Sequence, residues 1–213
     1  MTVTPSEITR LYCAAVKASD QQGKQLGNPK GCHILQASEF PRMVRDIAAI
    51  NPAIGLEIGM GGGGSHALFC RIVSTLFVTV EARHGLSFGL EGALGGGEWN
   101  GWPTDWTFTE RSLLLLGYPS TAQETLKHVA KVLAGRKLDF LYIDGDHGDP
   151  QPALDMEAYA PMVRVGGLIG LHDTVRIPGP MALIAAIKAG EYPGIEHVWT
   201  EYNQSLVRKG VVA

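Results

Sequence analysis

The chain has 213 residues, a formal net charge of −3, 45% hydrophobic residues and 18% charged residues. That length allows one folded domain with a sizeable core. The nearly balanced, interspersed charge argues against a strong electrostatic affinity for nucleic acid or an anionic membrane, though not against a local basic patch. The three cysteines, Cys13, Cys32 and Cys70, form no CxxC pair, so neither a disulfide framework nor a cysteine zinc site is expected, and a reducing, cytoplasmic setting fits. The first ten residues lack the apolar core of a signal peptide. The longest apolar run, Met181–Ile187, is far short of the ~18 residues a membrane helix needs.

In chain order, Thr4-Pro5-Ser6-Glu7 reads as a capped helix start, followed by an apolar face at Ile8, Leu11, Tyr12, Ala15 and Val16. A polar loop over 20–31 precedes a second helix from Ser38, which Asn51-Pro52 ends. A short strand is expected at Ile54–Ile58, a helix from Ser65, and strands at Leu76–Val80 and Leu113–Leu116. Thr121–Leu133 should be a helix with a Thr121–Glu124 capping box and a stop at Gly135. Phe140–Ile143 follows as a strand, Ala153–Val163 as a helix, Leu168–Leu171 as a strand and Met181–Ala189 as a helix. His197–Tyr202 and Ser205–Val212 close the chain as an antiparallel hairpin over Asn203-Gln204. Alternating strands and helices imply an α/β, mostly parallel, doubly wound sheet with helices on both faces and an antiparallel last strand.

Residues 82–112 break this rhythm. They hold seven of the 27 glycines and the tryptophans Trp99, Trp102 and Trp106. The segment is too long for a plain connection, and reads either as an aromatic cluster packed on the domain or as a lid over a pocket.

Glu57-Ile58-Gly59-Met60-Gly61-Gly62-Gly63-Gly64-Ser65 lies between a strand and a helix. Glycines there allow a sharp turn and close approach of a ligand, and the following helix offers free N–H groups. Glu81 ends the next strand, where a carboxylate can accept from a ribose diol. The run satisfies GxGxxG, as in dinucleotide sites, and equally GxGxG, as in S-adenosylmethionine sites. Glu57 tilts the balance toward adenosylmethionine, because an acid beside the loop can meet an ammonium and would repel a pyrophosphate. Beyond two further strands come Asp144-Gly145-Asp146-His147 and His172-Asp173, where ligands of open α/β sheets bind.

The motifs LEIGMGGGGS, FVTVEAR, LLLLGYPS, LDFLYIDGDH and GGLIGLHDT together resemble class I S-adenosylmethionine-dependent methyltransferases. The likeness is to the branch holding cephalosporin-hydroxylase-like proteins and the macrocin and rhamnosyl O-methyltransferases; caffeoyl-CoA-type enzymes are more distant. It covers roughly 36–175. Tyr118 occupies the place of an aspartate usual in relatives. The insertion has no family counterpart.

The resemblance implies a Rossmann-like fold, with residues 1–213 as one methyltransferase domain carrying N-terminal helices over 1–50. It implies S-adenosylmethionine as cofactor, held by Glu57, Gly59, Gly61, Gly63, Ser65, Glu81, Gly117, Tyr118, Ser120 and Asp144. It further implies O-methylation of a small molecule or sugar, with no nucleic-acid or membrane partner; a homo-oligomer stays open. Asp144, His172 and Asp173 resemble the ligands of metal-dependent relatives and suit Mg or Mn; the alternative is that Asp144 and His172 merely pair. His147 is the candidate catalytic base, with Asp144 as its catalytic companion. An NAD(P)-dependent oxidoreductase and a non-catalytic adenosylmethionine-binding protein are the competing readings.

Overall fold

A computed structural model describes residues 40–60, 64–82 and 111–212. The expected helix from Thr4, Gly61, Gly63 and most of the 82–112 segment lie outside the described residues. The elements are α1 (Phe40–Ala49), β1 (Ile54–Ile58), α2 (Gly64–Ile72), β2 (Leu76–Glu81), β3 (Ser112–Leu116), α3 (Gln123–Leu133), β4 (Leu138–Ile143), α4 (Gln151–Tyr159), β5 (Val163–His172), α5 (Pro178–Lys188), β6 (Ile195–Glu201) and β7 (Gln204–Lys209).

The seven strands form one sheet in the order β3-β2-β1-β4-β5-β7-β6. All neighbouring pairs from β3 to β5 are parallel, and β7 runs antiparallel to both β5 and β6. This is the expected α/β, Rossmann-like sheet with its antiparallel last strand. The central strands read as continuous apolar runs because helices cover both faces. Met43, Val44 and Ile47 of α1 and Leu68, Phe69 and Val73 around α2 pack with Phe77, Phe140 and Tyr142 on one face. On the other, Val129, Met156, Leu183 and Ile187 of α3, α4 and α5 pack with Leu56, Val78, Leu141 and Ile169.

Several boundaries differ from the sequence reading. The capping box at Thr121–Glu124 does not form: the N-cap of α3 is Ala122, without a side-chain hydrogen bond. The Thr121 hydroxyl instead accepts from Gln151 Nε2 of α4 at 3.4 Å. The helix ends at Ala134, itself left-handed (φ 49°), one residue before Gly135. Helix α4 starts two residues early and stops at Tyr159, passing into a 3-10 turn over Ala160–Met162. Pro161 has no N–H to carry the helix on.

Strand β5 therefore starts at Val163, five residues before the expected Leu168, and bulges between its pairings with Leu138 and Phe140. Gly166 and Gly167 fall inside this bulged strand rather than ahead of it. Helix α5 begins at Pro178 rather than Met181. The closing hairpin turns over Tyr202-Asn203, one residue earlier than expected, with Tyr202 left-handed (φ 55°). Among the described residues, no helix is long and apolar enough to cross a membrane.

Candidate functional site

Because β1, β2, β4 and β5 are parallel, their carboxyl ends open on the same edge of the sheet. A cleft of about 390 Å³ lies there, with Gly59, Glu81, Ser120, Asp144 and Gln151 in its lining. Gly59 turns the chain out of β1 with φ +83°, and a Cβ on it would stand 2.1 Å from the carbonyl oxygen of Asp144. Only glycine lets the β1 loop pass so close to the end of β4. Glu81 closes β2 and accepts the Met60 N–H through Oε2 at 3.0 Å. The acid of the second motif is thus tied directly to the glycine loop of the first.

Glu57 and Thr79 are register partners on β1 and β2, facing α2. Glu57 is fully buried; Thr79 donates to its Oε2 at 3.1 Å, and His66 Nδ1 lies 2.7 Å from the Thr79 hydroxyl. Burial pushes the Glu57 carboxyl up to about 8, against the pull of the Ser65 and Thr79 hydroxyls. Burial also drives His66 down to about 3, so its imidazole is neutral. The Glu57 Oε1 has no hydrogen-bond partner among the described residues. At about 8 this carboxyl is protonated near neutral pH, and a cationic group brought beside it would favour its ionised form.

The loop after β3 forms another wall. Gly117 is left-handed (φ 78°), and the Tyr118 N–H donates to the Glu81 carbonyl at 3.1 Å. The Tyr118 ring packs edge-on against His128 of α3, with centroids 5.2 Å apart. The half-buried ring packs at the edge of the α3 core, and its neighbours Pro119 and Ser120 line the cleft. The Ser120 hydroxyl donates to Asp155 Oδ1 at 2.5 Å. Gln151 and Asp155 were not singled out in the sequence. Their i, i+4 spacing on a helix edge was the available signal.

Past the other side of Asp144 the polar residues converge. Ligand-capable atoms of Asp144, His147, His172 and Asp173 all lie within 4.8 Å of one another. Asp144 Oδ1 is 3.1 Å from His172 Nδ1 and 3.2 Å from His147 Nε2, and Asp173 Oδ2 is 3.4 Å and 3.5 Å from the same two nitrogens. Burial works to raise both carboxyls, yet the imidazoles prevail and hold Asp144 and Asp173 below the usual carboxylate range. The hydrogen bond that His147 donates to Asp144 raises its pKa above the ordinary value.

Asp173 itself is left-handed (φ 55°), a strained conformation that tends to mark functional sites. Asn203, in the turn before β7, donates its side-chain amide to Asp173 Oδ1, leaving Oδ2 toward the histidines. The sequence reading placed Asp144, His172 and Asp173 together; the structure brings His147 into the same cluster and supplies Asn203 from a distant turn. Close beside it, Gly179 lets α5 approach the His147 carbonyl, which a Cβ would meet at 2.4 Å.

Solved structures share this fold. The O-methyltransferase TomG from Streptomyces achromogenes, in complex with SAM, aligns over 93% of this chain and 90% of its own, with a TM-score of 0.66 and 15% identity. An O-methyltransferase from Bacillus cereus in complex with SAH aligns over 96% of this chain and 90% of its own, with a TM-score of 0.59 and 16% identity. The MycE methyltransferase of the mycinamycin biosynthetic pathway, in complex with Mg, SAH and mycinamycin VI, matches 91% of this chain with a TM-score of 0.59 and 19% identity. This chain covers 54% of that protein. No curated protein matches the sequence at a significant level.

A family model described as a methyltransferase domain matches residues 56–174, more than half of the chain, from the first glycine-motif strand through the His172-Asp173 pair. That match sets aside the nicotinamide oxidoreductase and the non-catalytic binding protein as readings. The chain belongs to this methyltransferase family and is an enzyme.

Proposed function

We propose that the enzyme transfers the methyl group of S-adenosylmethionine to a hydroxyl of a small molecule or sugar, with a divalent cation beside the acceptor. The observation that carries this reading is the double membership of Asp144. It lines the cleft that holds Glu81 and Gly59, and it belongs to the Asp144–His147–His172–Asp173 cluster. A cofactor in the cleft and a polar group in the cluster would meet at one side chain. The finer family placement, among the macrocin-type and rhamnosyl O-methyltransferases, rests on the LDFLYIDGDH and GGLIGLHDT motifs.

In this reading Glu81 accepts from the ribose hydroxyls, the vacant Oε1 of Glu57 faces the methionine ammonium, and the glycine loop lies along the cofactor. Methyl transfer from a sulfonium is an in-line displacement, so the protein chiefly orients the acceptor and manages its proton. The donor set fits a cation: two carboxylates suit Mg, and the imidazoles add affinity for Mn. Asp144, His172 and Asp173 would hold it, and bound there it would lower the pKa of an acceptor hydroxyl.

His147 takes the proton. Asp144 engages its Nε2 and orients the ring, which leaves Nδ1 as the accepting atom. Residues 1–213 act as one methyltransferase domain. The test is direct. S-adenosylhomocysteine should raise the unfolding temperature whereas NAD and NADP should not, and labelled methyl groups should reach a hydroxylated acceptor. Protection by NAD alone would reject the proposal.

A further inference from the structure

We propose that Gln151 reads the exocyclic amine of the cofactor's purine, and that buried Asp155 is the positioning residue that fixes its amide for this purpose. The proposal deepens the cofactor reading above and rests on it.

Gln151 opens α4 and Asp155 lies one turn later, so both side chains meet the loop after β3. Gln151 Nε2 stands 3.0 Å from Asp155 Oδ1, 3.3 Å from the Ser120 hydroxyl and 3.4 Å from the Thr121 hydroxyl. Ser120 donates to the same Asp155 oxygen, and the Tyr159 hydroxyl donates to the Ser120 carbonyl at 2.6 Å. Asp155 and Tyr159 are fully buried. The other Asp155 oxygen, Oδ2, has no hydrogen-bond partner among the described residues. A proton on the carboxyl would sit there, so Oδ1 accepts in either ionisation state.

This fixes which edge of the Gln151 amide faces which way. Only its NH2 can donate to Asp155; a flipped amide would set its carbonyl against the carboxylate in a dry wall. With the NH2 committed to the wall, the carbonyl is the edge left for the cleft, which Gln151 lines beside Ser120 and Thr121. A ribose held by Glu81 carries its base toward this wall, because the loop after β3 is bonded to the Glu81 backbone.

The 6-amino group of adenine is a donor and matches a carbonyl. A 6-oxo purine would set oxygen against oxygen. The Tyr118 ring packs edge-on against His128. Asp146 is a further acceptor in the lining, but it is exposed and its Oδ1 already takes the Gly148 N–H at 2.9 Å.

The experiment measures dissociation constants of S-adenosylhomocysteine and its 6-oxo analogue S-inosylhomocysteine by calorimetry. The proteins are the wild type, Gln151→Ala, Asp155→Asn and Asp146→Ala. The wild type should prefer the adenosyl ligand by ~10-fold or more, the scale of one hydrogen bond in a desolvated slot. Gln151→Ala should shrink that preference to within ~3-fold, because the acceptor is gone. Asp155→Asn should shrink it too, by letting the amide flip and bind the 6-oxo ligand better, an effect that mere loosening of the fold would not produce.

An undiminished preference in Gln151→Ala overturns the proposal, as does its loss in Asp146→Ala instead. A preference undiminished only in Asp155→Asn removes the positioning role. A wild type that binds neither ligand overturns the cofactor reading itself, and is thereby distinguished from failure of this inference.

Discussion

Asp144 Oδ1 and His172 Nδ1 lie 3.1 Å apart across the seam between β4 and β5. The register explains it: Ile143 pairs with Leu171, so the next residue of each parallel strand emerges beside the other. His147, three residues past Asp144, folds back onto the same oxygen, and Asp173 completes the cluster. Strand register and hydrogen bonds among the side chains, with the Asn203 amide on Asp173, gather four groups that could bind a cation.

The wild type should therefore bind Mn²⁺ measurably in titration calorimetry, and Asp144→Ala should weaken that binding by at least ~10-fold, the lower end of what altered metal shells cost. His147→Ala tests its two roles. As proton acceptor its loss should collapse turnover, and as the hydrogen-bond partner of Asp144 it should also weaken Mn²⁺ by ~10-fold or more. Turnover that survives in the variant at saturating Mn²⁺ would remove His147 as the base.

Glu81→Ala should weaken S-adenosylhomocysteine by at least ~1 kcal/mol, the size of a hydrogen bond to a charged group. The loss has two sources, since Glu81 also holds the Met60 N–H of the glycine loop. Unchanged affinity by calorimetry would remove Glu81 from the ribose.

The Glu57–His66 pair makes stability depend on pH in opposite senses. His66 is held to about 3, below its unfolded value, so the unfolded chain binds the extra proton and stability rises with pH between about 3 and 6.5. Glu57 is raised to about 8 from 4.5, so the folded chain binds the extra proton and stability falls as pH climbs from 4.5 to 8. Between 6.5 and 8 Glu57 acts without opposition from His66. Urea unfolding of the ligand-free protein should show a midpoint declining over that window, and Glu57→Gln should flatten the decline. A decline of equal slope in the variant would assign it to another group.

Gly59→Ala should destabilise the fold by more than ~2 kcal/mol, through its left-handed backbone and the contact with the Asp144 carbonyl. Thermal unfolding reads this without any ligand. A near-neutral effect would mean that the β1 loop can move away from β4.

Asp139 supplies a control from the far end of β4. Its Oδ2 accepts the N–H groups of Ala53 and Ile54 at 2.8 and 2.9 Å, and its Oδ1 accepts from Arg164 Nε at 2.5 Å. Burial works against its ionisation, but Arg164 and the two N–H donors hold its carboxyl below the usual range. Asp139→Ala should cost about 2 kcal/mol of stability and leave Mn²⁺ affinity intact. Loss of metal binding at unchanged stability would contradict a purely structural role.

The sequence by itself determined the strand–helix alternation, the glycine loop between Glu57 and Ser65 and the acids at strand ends, because periodicity and turn chemistry are local. It also placed Asp144, His172 and Asp173 on neighbouring strands, since adjacent strand ends in a parallel sheet open on one edge. Tertiary structure alone decided the rest. Thr121 is drawn off its expected cap by Gln151, the Tyr118 ring meets His128 edge-on, and Asp173 is held by Asn203 from the β6–β7 turn. Each of those outcomes turns on a side chain from another element competing for a polar group or a space, and no local pattern in the chain carries that competition.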